Sequence, residues 1–325
     1  MSIAPMPNLF PFRLKPWFRT RIWGVRDLTP WYNYKVGEEP IGEVWLTGDD
    51  SVVDSGPLVG TKLAAVFAQH REDLVGQEAA HAERFPLLMK VLFPQEKLSV
   101  QVHPDDALAR LHGEPHGKTE CWYALDATPD AKVALGFRAG VTEQDVHIAI
   151  EQKTLEDLLN WIPVVRGDMI FVDAGTVHAI GPGSVLLETQ QSSDMTYRLY
   201  DYGRPRELHL EDGFRAMRLQ TDAGKIEPRR HGEETLLIQS RYFRVDRFTL
   251  AQSPAPHSFS LRSQPDAAES VVQMVFVASG RGTLHAEGCE PIALQGGELA
   301  IVPACTKEWQ MVAAEPMELL RALPR

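Results

Sequence analysis

A chain of 325 residues with 44% hydrophobic content has enough apolar material for one large core or two ordinary ones. Its 33 lysines and arginines against 44 acidic residues leave a net charge of -11, which disfavours nucleic acid and anionic membranes as partners. The three cysteines, Cys121, Cys289 and Cys305, are widely spaced, so neither a disulfide framework nor a thiolate zinc cluster is expected and a reducing cytoplasm fits. The N-terminal MSIAPMPNLFPFRLKPWF interrupts with Pro and Arg the apolar run that a signal peptide needs. No run of about 18 apolar residues follows, so export and membrane spanning are not expected.

In chain order, β-rich runs predict strands at 41–48, 97–103, 119–125, 168–173, 184–191, 195–202, 242–250, 271–280 and 298–303, separated by Gly, Pro and Asp turns. Helical spacing appears at 59–76, through Leu63, Val66 and Phe67, and at 141–162, through Val146, Ala149 and Ile150 behind a Thr142 N-cap. A short helix is expected after Pro104, with Asp105 and Asp106 as caps, stopping at Gly113. The helices read as insertions on a β core, and 222–235 as a boundary between two β units. The expected domains are therefore 1–225, carrying the helical insertion at about 141–162, and 226–325.

An internal repeat accompanies that division. GDMIFVDAGTVH runs from Gly167 through Asp173 and Gly175 to His178, and GELAIVPACTKE runs from Gly297 through Pro303 and Cys305 to Glu308 with the same spacing. Only the first copy ends in histidine.

The pattern G-x5-P-x-G-x2-H resembles the second motif of the cupin superfamily, whose fold is a double-stranded β-helix or jelly roll; the copy at 297–308 resembles a cupin that has lost its metal ligand. More specific are IGEVWLTG, FPLLMKVLFPQEKLSVQVHPDD, HGKTECWYAL, GTVHAIGPG and LLETQQSSDMTYRLYDYGR, in that order. Together they resemble the type I phosphomannose isomerases in their short bacterial form, from about residue 10 to 220 and more loosely beyond. The resemblance implies a mainly β fold of two cupin-type jelly-roll units, with a helical insertion in the first and no metal site in the second.

On a strand at 97–103, Ser99, Gln101 and His103 share one face and Leu98, Val100 and Val102 the other. On the returning strand Lys118, Glu120 and Trp122 share a face, with Cys121 turned to the core. Two imidazoles, a carboxylate and an amide oxygen suit Zn²⁺, Mn²⁺, Fe²⁺, Co²⁺ or Ni²⁺ and not a thiolate structural site. The resemblance makes Gln101, His103, Glu120 and His178 the ligands of one divalent ion per chain, Zn²⁺. The remaining histidines, at 70, 81, 112, 116, 147, 209, 231, 257 and 285, read as hydrogen-bonded structural residues.

The implied activity is interconversion of mannose 6-phosphate and fructose 6-phosphate through a cis-enediol. That chemistry needs a polarised carbonyl, a base that takes and returns a proton, and a cation for the phosphate. Arg198 matches the active-site arginine of the family's T-Y-R-x-Y-D phrase. Ser99 and Arg204 match phosphate-contacting positions. Lys118, whose pKa neighbouring positive charge would lower, and Glu188 are competing proton-transfer groups. Trp23 and Glu43 fall in phrases expected to line the pocket. Two rivals use the same residues: an Fe(II) oxygenase built on His103, Glu120 and His178, and a non-catalytic sugar-binding cupin. The expected partner is a small sugar phosphate, with a cytoplasmic monomer or weak homo-oligomer and neither nucleic acid nor membrane.

Overall fold

The computed structural model describes residues 9–259, 270–306 and 308–325. Every expected strand segment contains a strand, and the chain is mainly β. Compactness divides it into two units: one joins the described residues up to Trp17 with 45–87 and 228–325, the other joins 18–44 with 88–227.

The unit containing 88–227 has two sheets. One runs in the order Gly224–Ile226, Met169–Val172, Glu120–Ala127, Ser184–Gln191, Leu87–Leu92, Ile41–Trp45 and Trp17–Val25. The other is antiparallel and runs Tyr197–Tyr200, Val100–Val102, His178–Ile180, Lys132–Phe137 and Leu159–Pro163. Trp122, Ile170 and Leu186 of the first sheet share a core with Val133, Leu135 and Ile180 of the second. Strand alternation sends Val100, Val102 and Ala134 to the other face of the five-stranded sheet. There they meet Val146 and Ala149 of the helix Glu143–Gln152.

That helix opens on a capping box, with Thr142 accepting from Asp145 N and Asp145 accepting from Thr142 N. It is shorter than the pattern over 141–162 implied. Lys153 turns left-handed at φ 61, and after a 3-10 turn at Leu155–Leu158 the chain runs as the strand Leu159–Pro163 beside Lys132–Phe137. The β-prone Trp161-Ile162 and the helix-breaking Pro163 override the apparent periodicity. The pattern at 59–76 likewise divides, into Leu63–Gln69 and Arg71–Val75, because His70 leaves the helical region at φ -129.

The unit containing 228–325 pairs two antiparallel sheets. The larger runs Phe12–Arg13, Leu299–Val302, Gln273–Ser279, Met317–Pro324, Phe243–Leu250, Glu234–Gln239 and Arg229–His231; the smaller runs His257–Phe259, Trp309–Ala313, Arg281–Ala286 and Ile292–Gln295. Their shared interior is apolar, filled by Phe259 stacked on Trp309 at 4.0 Å, whose indole N–H donates to Gln273 at 3.1 Å. The two repeat copies match in backbone: Gly167 and Gly297 have φ 90 and 89, and strands Met169–Val172 and Leu299–Val302 follow at equal offsets. No helix among the described residues is long and apolar enough to cross a membrane.

Candidate active site

Gln101 lies between two fully buried valines, so its side chain points to the opposite face of the five-stranded sheet, into the space between the two sheets of its unit. Cross-strand pairing then sets its neighbours: His178 stands opposite Gln101 on one side and Arg198 on the other. Glu120 enters from the facing sheet, at the start of Glu120–Ala127. His103, Glu120 and His178 are 1%, 0% and 1% exposed, and their ligating atoms lie within 4.8 Å of one another.

The Nδ1 of His103 is 2.9 Å from the Met195 carbonyl and that of His178 is 2.9 Å from the Thr176 carbonyl. A carbonyl oxygen only accepts, so each Nδ1 carries the proton and each Nε2 presents a lone pair. Those Nε2 atoms lie 3.7 and 3.5 Å from Glu120 Oε1, a buried oxygen with no hydrogen-bond partner. Burial, opposed by the hydrogen bond to Thr176 and reinforced by the charge of Lys118, brings the His178 pKa down to about 4. Burial and then Lys118 hold His103 well below the usual range. Two neutral nitrogens and an unsatisfied carboxylate oxygen aimed at one point fit a divalent cation, and the carbonyl acceptors behind the imidazoles fix their orientation. Gln101 accepts from Ser99 at 3.1 Å and has its other amide atom 3.2 Å from His178 Nε2; exchanging its near-isosteric O and N turns the oxygen toward the same point.

Beside this cluster opens a cavity of about 440 Å³ lined by Ser99, Gln101, Lys118, Glu188 and Arg198, together with the expected Trp23 and Glu43. Lys118 Nζ lies 2.5 Å from Glu120 Oε2, 3.1 Å from His103 Nε2 and 3.7 Å from Glu188 Oε1. Glu188 is buried, held 3.4 Å from Lys90 Nζ and accepting from the Trp122 indole at 3.3 Å. Arg198 donates from Nη1 to the Glu207 carbonyl at 2.7 Å, while its buried Nε has no hydrogen-bond partner. Arg204 is turned elsewhere: it donates to the Lys97 carbonyl and packs over the Tyr202 ring, 5.3 Å from its centroid. Asp105 caps the helix Asp106–Leu111 by accepting from Leu108 N at 3.0 Å.

The same cavity holds residues that sequence reasoning missed. Lys90 lies in the wholly buried strand Leu87–Leu92 and is paired with Asp194 at 2.5 Å. Burial alone would lower its pKa, but Asp194, Glu188 and Glu43 outweigh that and raise it. A lysine inside an otherwise apolar strand run was the available signal. Arg206 also lines the cavity, its guanidinium held by Asp201 in two hydrogen bonds of 2.7 Å. Arg21 does so as well, paired with Glu43 at 2.9 and 2.8 Å.

Residues 11–140 match the family described as phosphomannose isomerase type I, catalytic domain. The chain is 36% identical, over 313 residues, to mannose-6-phosphate isomerase of Streptococcus mutans, spanning 92% of this chain and 94% of that one. The crystal structure of the Bacillus subtilis mannose 6-phosphate isomerase superposes with a TM-score of 0.84 at 30% identity, covering 97% and 99% of the two chains. A mannose 6-phosphate isomerase solved with zinc and yttrium shares the fold at 17% identity, with a TM-score of 0.75 and coverage of 98% and 100%.

Proposed function

Given that the chain belongs to the type I phosphomannose isomerase family and is a metal-dependent isomerase of mannose 6-phosphate and fructose 6-phosphate, we propose how its residues divide that work. Gln101, His103, Glu120 and His178 hold one divalent ion per chain, Zn²⁺ by analogy with the zinc-bound neighbour. When bound, the ion supplies Lewis-acid polarisation of the sugar carbonyl and orients the adjacent hydroxyl. The single observation that carries this reading is the orphaned, fully buried Glu120 oxygen facing two neutral Nε2 lone pairs.

Glu188 takes a proton from one of C1 and C2 and returns it to the other, through a cis-enediol. Its place in the cavity wall between the Lys90 and Lys118 ammonium groups supports this, since both cations orient its carboxylate. Lys118 is the competing proton carrier; its contacts with Glu120 and His103 favour a role in holding the ligand set. Arg198 neutralises charge developing on the enediolate oxygens, and its unpartnered Nε supports that role. Ser99 contacts the phosphate. Arg206 supplies the guanidinium there in preference to Arg204, which is engaged with Tyr202 and Lys97.

Catalysis belongs to the unit containing 88–227. The unit with the 297–308 copy, ending in Glu308, carries no metal role. A cytoplasmic monomer or weak homo-oligomer completes the proposal.

The test is a coupled assay converting mannose 6-phosphate to fructose 6-phosphate before chelation, after chelation and after zinc is restored. Activity lost and then recovered is expected. Full activity in a preparation shown by elemental analysis to be metal-free would overturn the metal-centred reading.

A further inference from the structure

We infer that His209 is the positioning residue for Arg198, holding it by replacing a missing neighbouring strand; this rests on the proposed catalytic role of Arg198. Tyr197–Tyr200 is an edge strand, paired on one side only, with Val100–Val102. An edge strand leaves alternate N–H and C=O groups pointing outward, where they need partners. At Arg198, opposite Gln101, both outward groups find the same residue. The Arg198 N–H donates to His209 Nδ1 at 3.2 Å, and the His209 N–H donates to the Arg198 carbonyl at 2.8 Å.

The imidazole nitrogen thus occupies the place that a carbonyl oxygen would hold in a neighbouring strand. Two residues earlier the Glu207 carbonyl accepts from Arg198 Nη1 at 2.7 Å, so one short segment fixes the peptide and the guanidinium of Arg198 together. Nδ1 is an acceptor here, which requires the tautomer protonated on Nε2; Glu207 Oε2 lies 4.0 Å from that nitrogen.

The segment is itself anchored. His209 is the N-cap of the helix Leu210–Ala216, and its carbonyl accepts from Gly213 N at 2.8 Å. Gly213 packs so closely on the strand that a Cβ there would lie 2.4 Å from Leu199 Cδ2. The helix therefore packs directly on the strand, and His209 joins its N-terminus to Arg198. Across the strand the same residue faces Gln101, so the arginine is placed relative to the ligand set from both sides.

The experiment compares zinc-loaded wild type with His209→Ala, His209→Asn, Arg198→Ala and the double variant His209→Ala/Arg198→Ala, measuring kcat, KM and metal content. Asparagine is the conservative rescue, because its Oδ1 sits as many bonds from the backbone as Nδ1 and accepts the same hydrogen bond. The expected result is a loss of about 10- to 100-fold in kcat/KM for His209→Ala at unchanged metal content. Recovery to near wild type is expected in His209→Asn, and a double variant no worse than Arg198→Ala alone. If His209→Ala does not fold, His209→Gln, whose acceptor lies one bond too far out, takes its place. Near-normal turnover in His209→Ala beside an inactive Arg198→Ala overturns the inference, as do independent additive losses or a His209→Asn variant as poor as His209→Ala. Near-normal turnover in Arg198→Ala overturns the underlying reading instead.

Discussion

Acidifying a metal-stripped preparation puts the buried imidazole pair under direct strain. In the unfolded chain a histidine takes up its proton near pH 6.5, whereas His178 in the fold does not do so until about pH 4, chiefly because burial penalises its charged form. Between those values the unfolded state binds the extra proton, so stability is fully present above pH 6.5 and falls as the pH drops. The slope is about 1.4 kcal/mol per pH unit for each such group, which integrates over the His178 window to about 3 kcal/mol. His103 is shifted in the same direction and adds to the loss. Urea unfolding followed by tryptophan fluorescence suits the measurement, since the Trp122 ring lies 5.5 Å from that of His178. Stability should decline from about pH 7 to about pH 4.5, less steeply in His178→Gln, whereas zinc, which keeps the same imidazoles proton-free in the fold, should raise the whole profile without flattening it. A flat profile over that range, or the same slope in His178→Gln, would refute the reasoning.

Lys90→Met should cost about 3–5 kcal/mol in thermal or urea unfolding by leaving the buried Glu188 undercompensated, and Lys90→Met/Glu188→Gln should recover much of it. Equal stability of wild type and the single variant would show that the pair is not coupled. Arg206→Ala should raise KM for mannose 6-phosphate by about tenfold or more, as expected for loss of a charge-assisted contact, with Arg204→Ala affecting KM far less. The opposite order in steady-state kinetics would return the phosphate contact to Arg204. Thr142→Ala should lower stability by about 1 kcal/mol through loss of the capping box while leaving turnover unchanged, and an unshifted Tm would discount the cap.

The cluster of Gln101, His103, Glu120 and His178 was legible in part because strand alternation is rigid. Once 97–103 is a strand, Gln101 and His103 must share the face away from Val100 and Val102, and the structure follows that rule, with the two valines in the helix-covered core and Gln101 and His103 beside His178. Glu120 and His178 came from the family resemblance, and the structure brings them to the same point. Charged groups inside apolar runs, such as Lys90, were lost because a strand buried on both faces shows no alternation to read. Which arginine of the GRPR loop faces the cavity depends on Tyr202 and Gly203 at φ 55 and 80, a backbone reversal that residue spacing does not encode. His209 was read as a hydrogen-bonded structural residue, and its link to Arg198 was not legible for a related reason. Its task is to complete a sheet edge, and an edge exists only once the sheet is assembled.

The aromatic filling of the unit containing 228–325 bears on how the chain responds to stress. Where the other unit lines its cavity with Lys90, Lys118 and Glu188, this one fills an apolar interior with Phe259 against Trp309, and the buried Gln273 amide accepts from the indole. That aromatic pair carries no group that titrates in mild acid, while the ionisable groups of the same unit, buried His70 and the Asp246–Arg321 pair among them, lie outside this cluster. The stacked rings therefore hold their packing through a pH range over which buried imidazoles take up protons, so the hydrophobic contribution of this interior responds to temperature and denaturant and not to acidity.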